Sequence, residues 1–176
     1  MKEPRPLPKH YLWYAEESNR AAGMLLRPKG DSLSSTSAAI SIGLSLHAIE
    51  LCGKSMLRSL GHTKDKIRKA HSGHDPLAIL NDVQDQIQSS DDESTLTFRD
   101  FLLHAPVIDG QEFSDTIASY LEKHFDHGKT AYSRSYLYPD NPTFTGPNPI
   151  SAIKHMADHL IESAKRFTEA RGYESS

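Results

Sequence analysis

Apolar residues along this chain recur at three- and four-residue spacings, and no stretch alternates apolar and polar positions over six residues. The pattern predicts helices. Tyr11, Tyr14, Ala15, Ser18, Ala22, Leu25 and Leu26 form one face of a first helix over about Pro8 to Arg27, ended by Arg27-Pro28-Lys29-Gly30. A second, longest helix starts in the hydroxyl-rich run Ser32–Ser37 and continues to about Leu60, where Gly61 offers a stop. Its residues Ala38, Ala39, Ile42, Leu46, Ile49, Gly53, Met56, Leu57 and Leu60 make one stripe. Ile40, Leu44 and Leu51 make a second stripe almost opposite. A helix apolar on two sides is expected to be covered on two sides, at the centre of a bundle or between the core and a partner.

The stretch Gly61–Gly73 is charged and reads as a loop or a short irregular helix. Asp75-Pro76 has the form of an N-cap followed by proline at the first helical position, opening a helix to about Gln88. A polar loop follows over Ser89–Thr95, then one or two helical turns over Leu96–His104, then a helix from Phe113 to about Gly128. Tyr132–Pro149 carries Tyr132, Tyr136, Tyr138 and Phe144 among four prolines, which excludes a regular helix and favours aromatic anchoring of a loop. The last helix is expected from about Ser151 to Ala170, with fraying ends at 1–7 and 171–176.

Composition narrows the class. Only two valines occur, so strand-forming residues are scarce, and the single Cys52 cannot close an internal disulfide. At 176 residues the chain is expected to be one domain with one core. No apolar run approaches the roughly 18 residues that span a bilayer, and the start with Pro4, Pro6 and Pro8 lacks a signal-peptide core, so a cytoplasmic protein without a membrane partner is expected. A net charge of −3 supplies no global attraction to nucleic acid, so any such binding needs a local cluster around residues such as Lys54, Arg99 and Arg134.

Candidate chemistry is sparse. Between the two stripes of the long helix stand Gly43, His47, Glu50 and Lys54, within about 60° on the helical wheel. Glu50 and Lys54 form an i,i+4 pair in the favourable order. A structural ion pair is the preferred reading, and a ligand pocket lined by His47, Glu50, Lys54 and His74 is the alternative. His155 and His159 have a spacing that can present two imidazoles to one metal, but they sit with Lys154, Asp158, Glu162 and Arg166 opposite the apolar stripe. A solvated face is the preferred reading there; His124 and His127, near a helix end, are explained by the preference of positive side chains for helix C-termini, and no metal or other cofactor is expected. Glycine-rich phosphate loops, nucleophile elbows and dinucleotide fingerprints do not occur.

The string Leu46-His47-Ala48-Ile49-Glu50-Leu51-Cys52-Gly53-Lys54-Ser55-Met56-Leu57, followed by Gly73-His74-Asp75 and then Leu77 and Leu80, resembles HEPN-superfamily domains. There a helix with a His-Ala-x-Glu-x-x-x-Lys core precedes a Gly-His-Asp helix start. Tyr132-Ser133-Arg134-Ser135-Tyr136 and Tyr138-Pro139 resemble an aromatic, Arg and Pro element found before the last helix of some members. The resemblance implies an up-and-down helical bundle, commonly a homodimer, associated with RNA or nucleotides in prokaryotic defence, toxin–antitoxin or RNA-processing settings. Active members are metal-independent endoribonucleases marked by an Arg, a short spacer and a His. Arg99-Asp100-Phe101-Leu102-Leu103-His104 fits that pattern. By this likeness Arg99 would stabilise charge on the scissile phosphate and His104 would handle the proton of the attacking 2′-hydroxyl. A helical module that acts only by binding another protein is the alternative function. The expected fold is all-α, a bundle of about five helices with a long central helix.

Overall fold

The computed structural model describes residues 6–26, 35–71, 75–87, 107–108, 111–112 and 149–173. Five helices are found among them: α1 (Pro8–Leu25), α2 (Ser35–Ser59), α3 (Lys64–Ala70), α4 (Pro76–Ile87) and α5 (Pro149–Glu169). A two-residue antiparallel ladder pairs β1 (Val107–Ile108) with β2 (Gln111–Glu112) and leaves the class all-α. The helices expected at Leu96–His104 and Phe113–Gly128 lie outside the described residues, as does the Tyr132–Phe144 aromatic set.

Three side-chain bonds set the direction of α1 against α2. Ser55 donates to the Pro8 carbonyl at 2.9 Å, Ser45 to Asn19 Oδ1 at 3.1 Å, and Ser41 to the Ala22 carbonyl at 3.1 Å. Numbers rise on one helix as they fall on the other, so the pair is antiparallel. On the other side of α1, Asn19 meets Asp158 and Glu16 meets Lys165, which makes α5 antiparallel to α1 as well. α2 is the hub, in contact with α1, α3, α4 and α5. Ala48, Ile49, Cys52, Met56 and Leu57 of α2 are fully buried, together with Ile79, Leu80 and Val83 of α4 and Ala157, Leu160, Ala164 and Phe167 of α5.

The two-stripe expectation for α2 holds best towards its C-terminal end. Leu51 of the second stripe is buried, but Leu44 is only half-buried and Ile40 is exposed. On α1 the buried face is rotated from the expected one: it runs through Pro8, Leu12, Ala15, Asn19 and Ala22, while Tyr14 points outward beside Trp13. The physical reason is Asn19. A polar residue was not counted towards the core, yet here its amide is satisfied on both sides by Ser45 and Asp158, which removes the cost of burying it.

Local signals account for the helix ends. The Asp75 carboxylate accepts from the Ala78 backbone N–H at 3.0 Å and Pro76 occupies the first turn, as an N-cap with proline behind it requires. Gly61, at φ 87°, closes α2: its own N–H reaches the Arg58 carbonyl, and the His62 N–H reaches back to the Leu57 carbonyl. That is a Schellman cap, which favours glycine at the left-handed residue. Gly172 closes α5 in the same way, with the Tyr173 N–H reaching back to the Thr168 carbonyl. Thr63 caps α3 through a 3.1 Å bond from the Lys66 N–H, and Ile67 is buried, so Lys64–Ala70 is a regular short helix inside the stretch read as irregular. Pro149 begins α5 instead of ending the preceding loop.

Arg58 adds a tie that the pattern of apolar residues does not show. Its side chain is buried, with Nε donating to the Pro6 carbonyl at 3.0 Å and Nη1 donating to the His62 carbonyl. One guanidinium therefore joins the segment before α1 to the turn after α2.

Candidate functional site

The strip on α2 resolves into a closed pair. Lys54 Nζ donates to Glu50 Oε1, and Glu50 is 1% exposed. The Lys54 side chain retains 15% exposure. His47 Nδ1 lies 3.8 Å from Glu50 Oε2, beyond hydrogen-bond reach, with its ring partly exposed. A buried carboxylate held by an i,i+4 lysine is an architectural element of the hub helix. His74, the fourth residue of the pocket alternative, lies outside the described residues, and so do Arg99, His104 and Arg134.

Cys52 lies two residues from each of Glu50 and Lys54, on the opposite side of α2, fully buried in the core, and burial pushes its thiol pKa up. The Glu16 charge adds to that rise and the Lys165 charge opposes it. The thiolate is the reactive form, so Cys52 is expected to be inert in the folded protein. A thiol-reactive chromophore should label it only after unfolding in denaturant. Fast stoichiometric labelling of the native chain would show that the core around α2 opens readily.

Two polar constellations were not anticipated from sequence. Where α3 meets α4, His71 Nε2 contacts Asp82 Oδ2 at 2.9 Å, Gln86 donates to Asp82 Oδ1 at 2.5 Å, and the same Gln86 meets His62 Nε2 at 2.6 Å. Burial raises the Asp82 carboxyl pKa, but the bonds from Gln86 and His71 and the charges of His71 and His62 outweigh it and hold the value low. His71 is buried, so this network pins the end of α3 onto α4. The residues are spread over Gly61–Gln86 with no repeating spacing, which is why no motif announces them.

The second constellation lines an open groove of about 510 Å³ between α1 and α5. Asn19 Nδ2 donates to Asp158 Oδ1 at 2.5 Å, and Lys154 donates to Asp158 Oδ2 at 2.7 Å. Deeper along the same seam Lys165 bridges Glu16 and Glu162, and the Glu16 bond leads the effects that raise its pKa. Arg20 is engaged by Glu17. The charges named here are paired, with Lys165 shared by two carboxylates, so the groove joins two helices and carries one negative charge in excess.

On the outer face of α5, His155 and His159 approach with their Nε2 atoms 3.0 Å apart. The rings meet edge to face, centroids 4.4 Å apart. On α1, Trp13, Tyr14 and Met24 are each 59% exposed. Comparison with protein-family models, with curated proteins and with solved structures gives no match. No described helix is long and apolar enough to cross a membrane.

Proposed function

We propose that the chain is a HEPN-like helical domain that associates with RNA, and that chemistry on RNA runs through Arg99 and His104 and not through the α2 strip. One observation supports this reading most. The hub helix holds a buried Glu50–Lys54 pair, and the next long helix opens on a capping Asp75, in the order that the resemblance implies. Glu50 and Lys54 are paired with each other, which weighs against that pair as acid, base or phosphate clamp. By the resemblance, charge stabilisation and proton transfer fall to Arg99 and His104, a chemistry that needs no metal. In this proposal the domain is cytoplasmic and works as a homodimer whose exposed Trp13 and Tyr14 belong to surfaces used by partners.

The test is incubation of the purified full chain with mixed RNA in EDTA. Wild type is expected to cleave, and His104→Ala and Arg99→Ala to lose at least about 100-fold of the rate, the usual scale for a general acid or base. Equal background cleavage by wild type and both variants would remove the nuclease reading. That outcome would leave the module that acts by binding another protein, which the closed Glu50–Lys54 pair also favours.

A further inference from the structure

The outward strip of α5 carries a geometry that a merely solvated face does not require. His155 and His159 stand one turn apart near the middle of a 21-residue helix, where the backbone holds their Cβ atoms in fixed relation. Their rings turn towards each other so that both Nε2 atoms converge at 3.0 Å. Two imidazole nitrogens bound to one divalent ion at about 2.0–2.1 Å would be about 3.3–3.4 Å apart at a tetrahedral angle and about 2.9 Å apart at a right angle. The observed separation lies close to the right-angled case. Ions that favour right-angled positions and imidazole are the Ni²⁺ and Cu²⁺ class.

We propose that His155 and His159 form a two-histidine chelate for a Ni²⁺- or Cu²⁺-class divalent ion on the surface of α5. In the metal-free protein one ring donates its Nε2 proton to the other. On binding, that proton moves to Nδ1 of the same ring through solvent, both Nε2 lone pairs take the ion, and no proton is released. The carboxylates on the same face do not complete the site: Asp158 is held by Asn19 and Lys154, and Glu162 by Lys165. Among the described residues no group of three or more His, Cys, Asp or Glu side chains converges on one point. No third ligand comes from the described residues, and the chelate adds a staple across one turn of α5.

The probe is Ni²⁺ alone, titrated calorimetrically into the full chain lacking any histidine tag. One ion per chain should bind saturably, and His155→Ala and His159→Ala should each weaken binding at least ten-fold. Both positions face outward on a long helix, and circular dichroism checks that each variant is folded. A second readout needs no variant: in wild type, substoichiometric Ni²⁺ should broaden the imidazole proton signals of His155 and His159 before those of the other histidines. Binding that is unchanged in both variants would place the ion elsewhere among the ten histidines and overturn the proposal. Absence of binding, with both ring signals unperturbed, would show that the two rings share only a hydrogen bond and would overturn it equally. No RNA enters the titration, so its outcome is independent of the ribonuclease reading.

Discussion

Lys54→Met is expected to lower the folding stability by about 3–5 kcal/mol in urea denaturation, because it takes the ammonium away from a carboxylate buried inside the hub of the bundle. Glu50 is 1% exposed and receives the Lys54 Nζ bond directly, so water cannot replace the lost partner without opening the packing around α2. The reverse change, Glu50→Leu, is expected to cost less. The Lys54 side chain is 15% exposed, and its flexible stem can carry the charge outward. The double variant Glu50→Leu with Lys54→Met should regain much of the loss, since an apolar pair of similar volume suffers no desolvation of charge. Strong non-additivity is thus the signature of a structural ion pair. A loss below about 1 kcal/mol for Lys54→Met, the level of a surface pair, would show that Lys54 is not what makes Glu50 tolerable in the core.

Gly53→Ala is the second large effect, and its sign is the informative part. Helix propensity alone predicts a gain of about 1 kcal/mol for alanine over glycine in a helix interior. The packing predicts the opposite. A Cβ at residue 53 would stand 2.5 Å from Ile79 Cγ2 and 3.5 Å from Leu80 Cδ2 of α4. Ile79 is fully buried, and its branched Cβ leaves little freedom at χ1 in a helix, so the methyl cannot swing aside and the helices must part. The net result should be destabilisation by about 1–3 kcal/mol, the usual range for overfilling a core. Ile79→Leu removes the Cγ2 branch, so it should relieve part of the loss in the Gly53→Ala background. A Gly53→Ala protein more stable than wild type would mean that α4 does not lie against α2 at this distance.

The elements whose residues agree at every level were legible in the sequence. α5, expected over about Ser151 to Ala170, buries Ile153, Ala157, Leu160, Ile161, Ala164 and Phe167, apolar positions at helical spacing. Asp75-Pro76 and Gly61 mark helix ends because their chemistry acts over one turn and needs nothing from the rest of the chain. The misread parts have a common cause. Asn19 turned the face of α1, Arg58 tied the segment before α1 to the turn after α2, and His71 with Asp82 pinned α3 to α4. Each is a polar side chain made compatible with burial by a partner on another segment, and periodicity cannot register such a partner. At the candidate site the neighbourhood of Glu50 and Lys54 was readable from their spacing. Their role depended on burial, which separates a solvated surface pair from a core ion pair.

By itself the sequence determined the helical class, the long central helix, the glycine and proline punctuation and the proximity of His155 to His159, because these follow from backbone preferences and from contacts within about one turn. Tertiary structure decided which face of α1 is inward, that Glu50 is sealed beneath Lys54, that residue 53 must lack a side chain, and that the two imidazoles converge. The physical reason is the same throughout. Burial, close approach and the cost of a polar group depend on what arrives from the other side, and that is set by how the helices assemble.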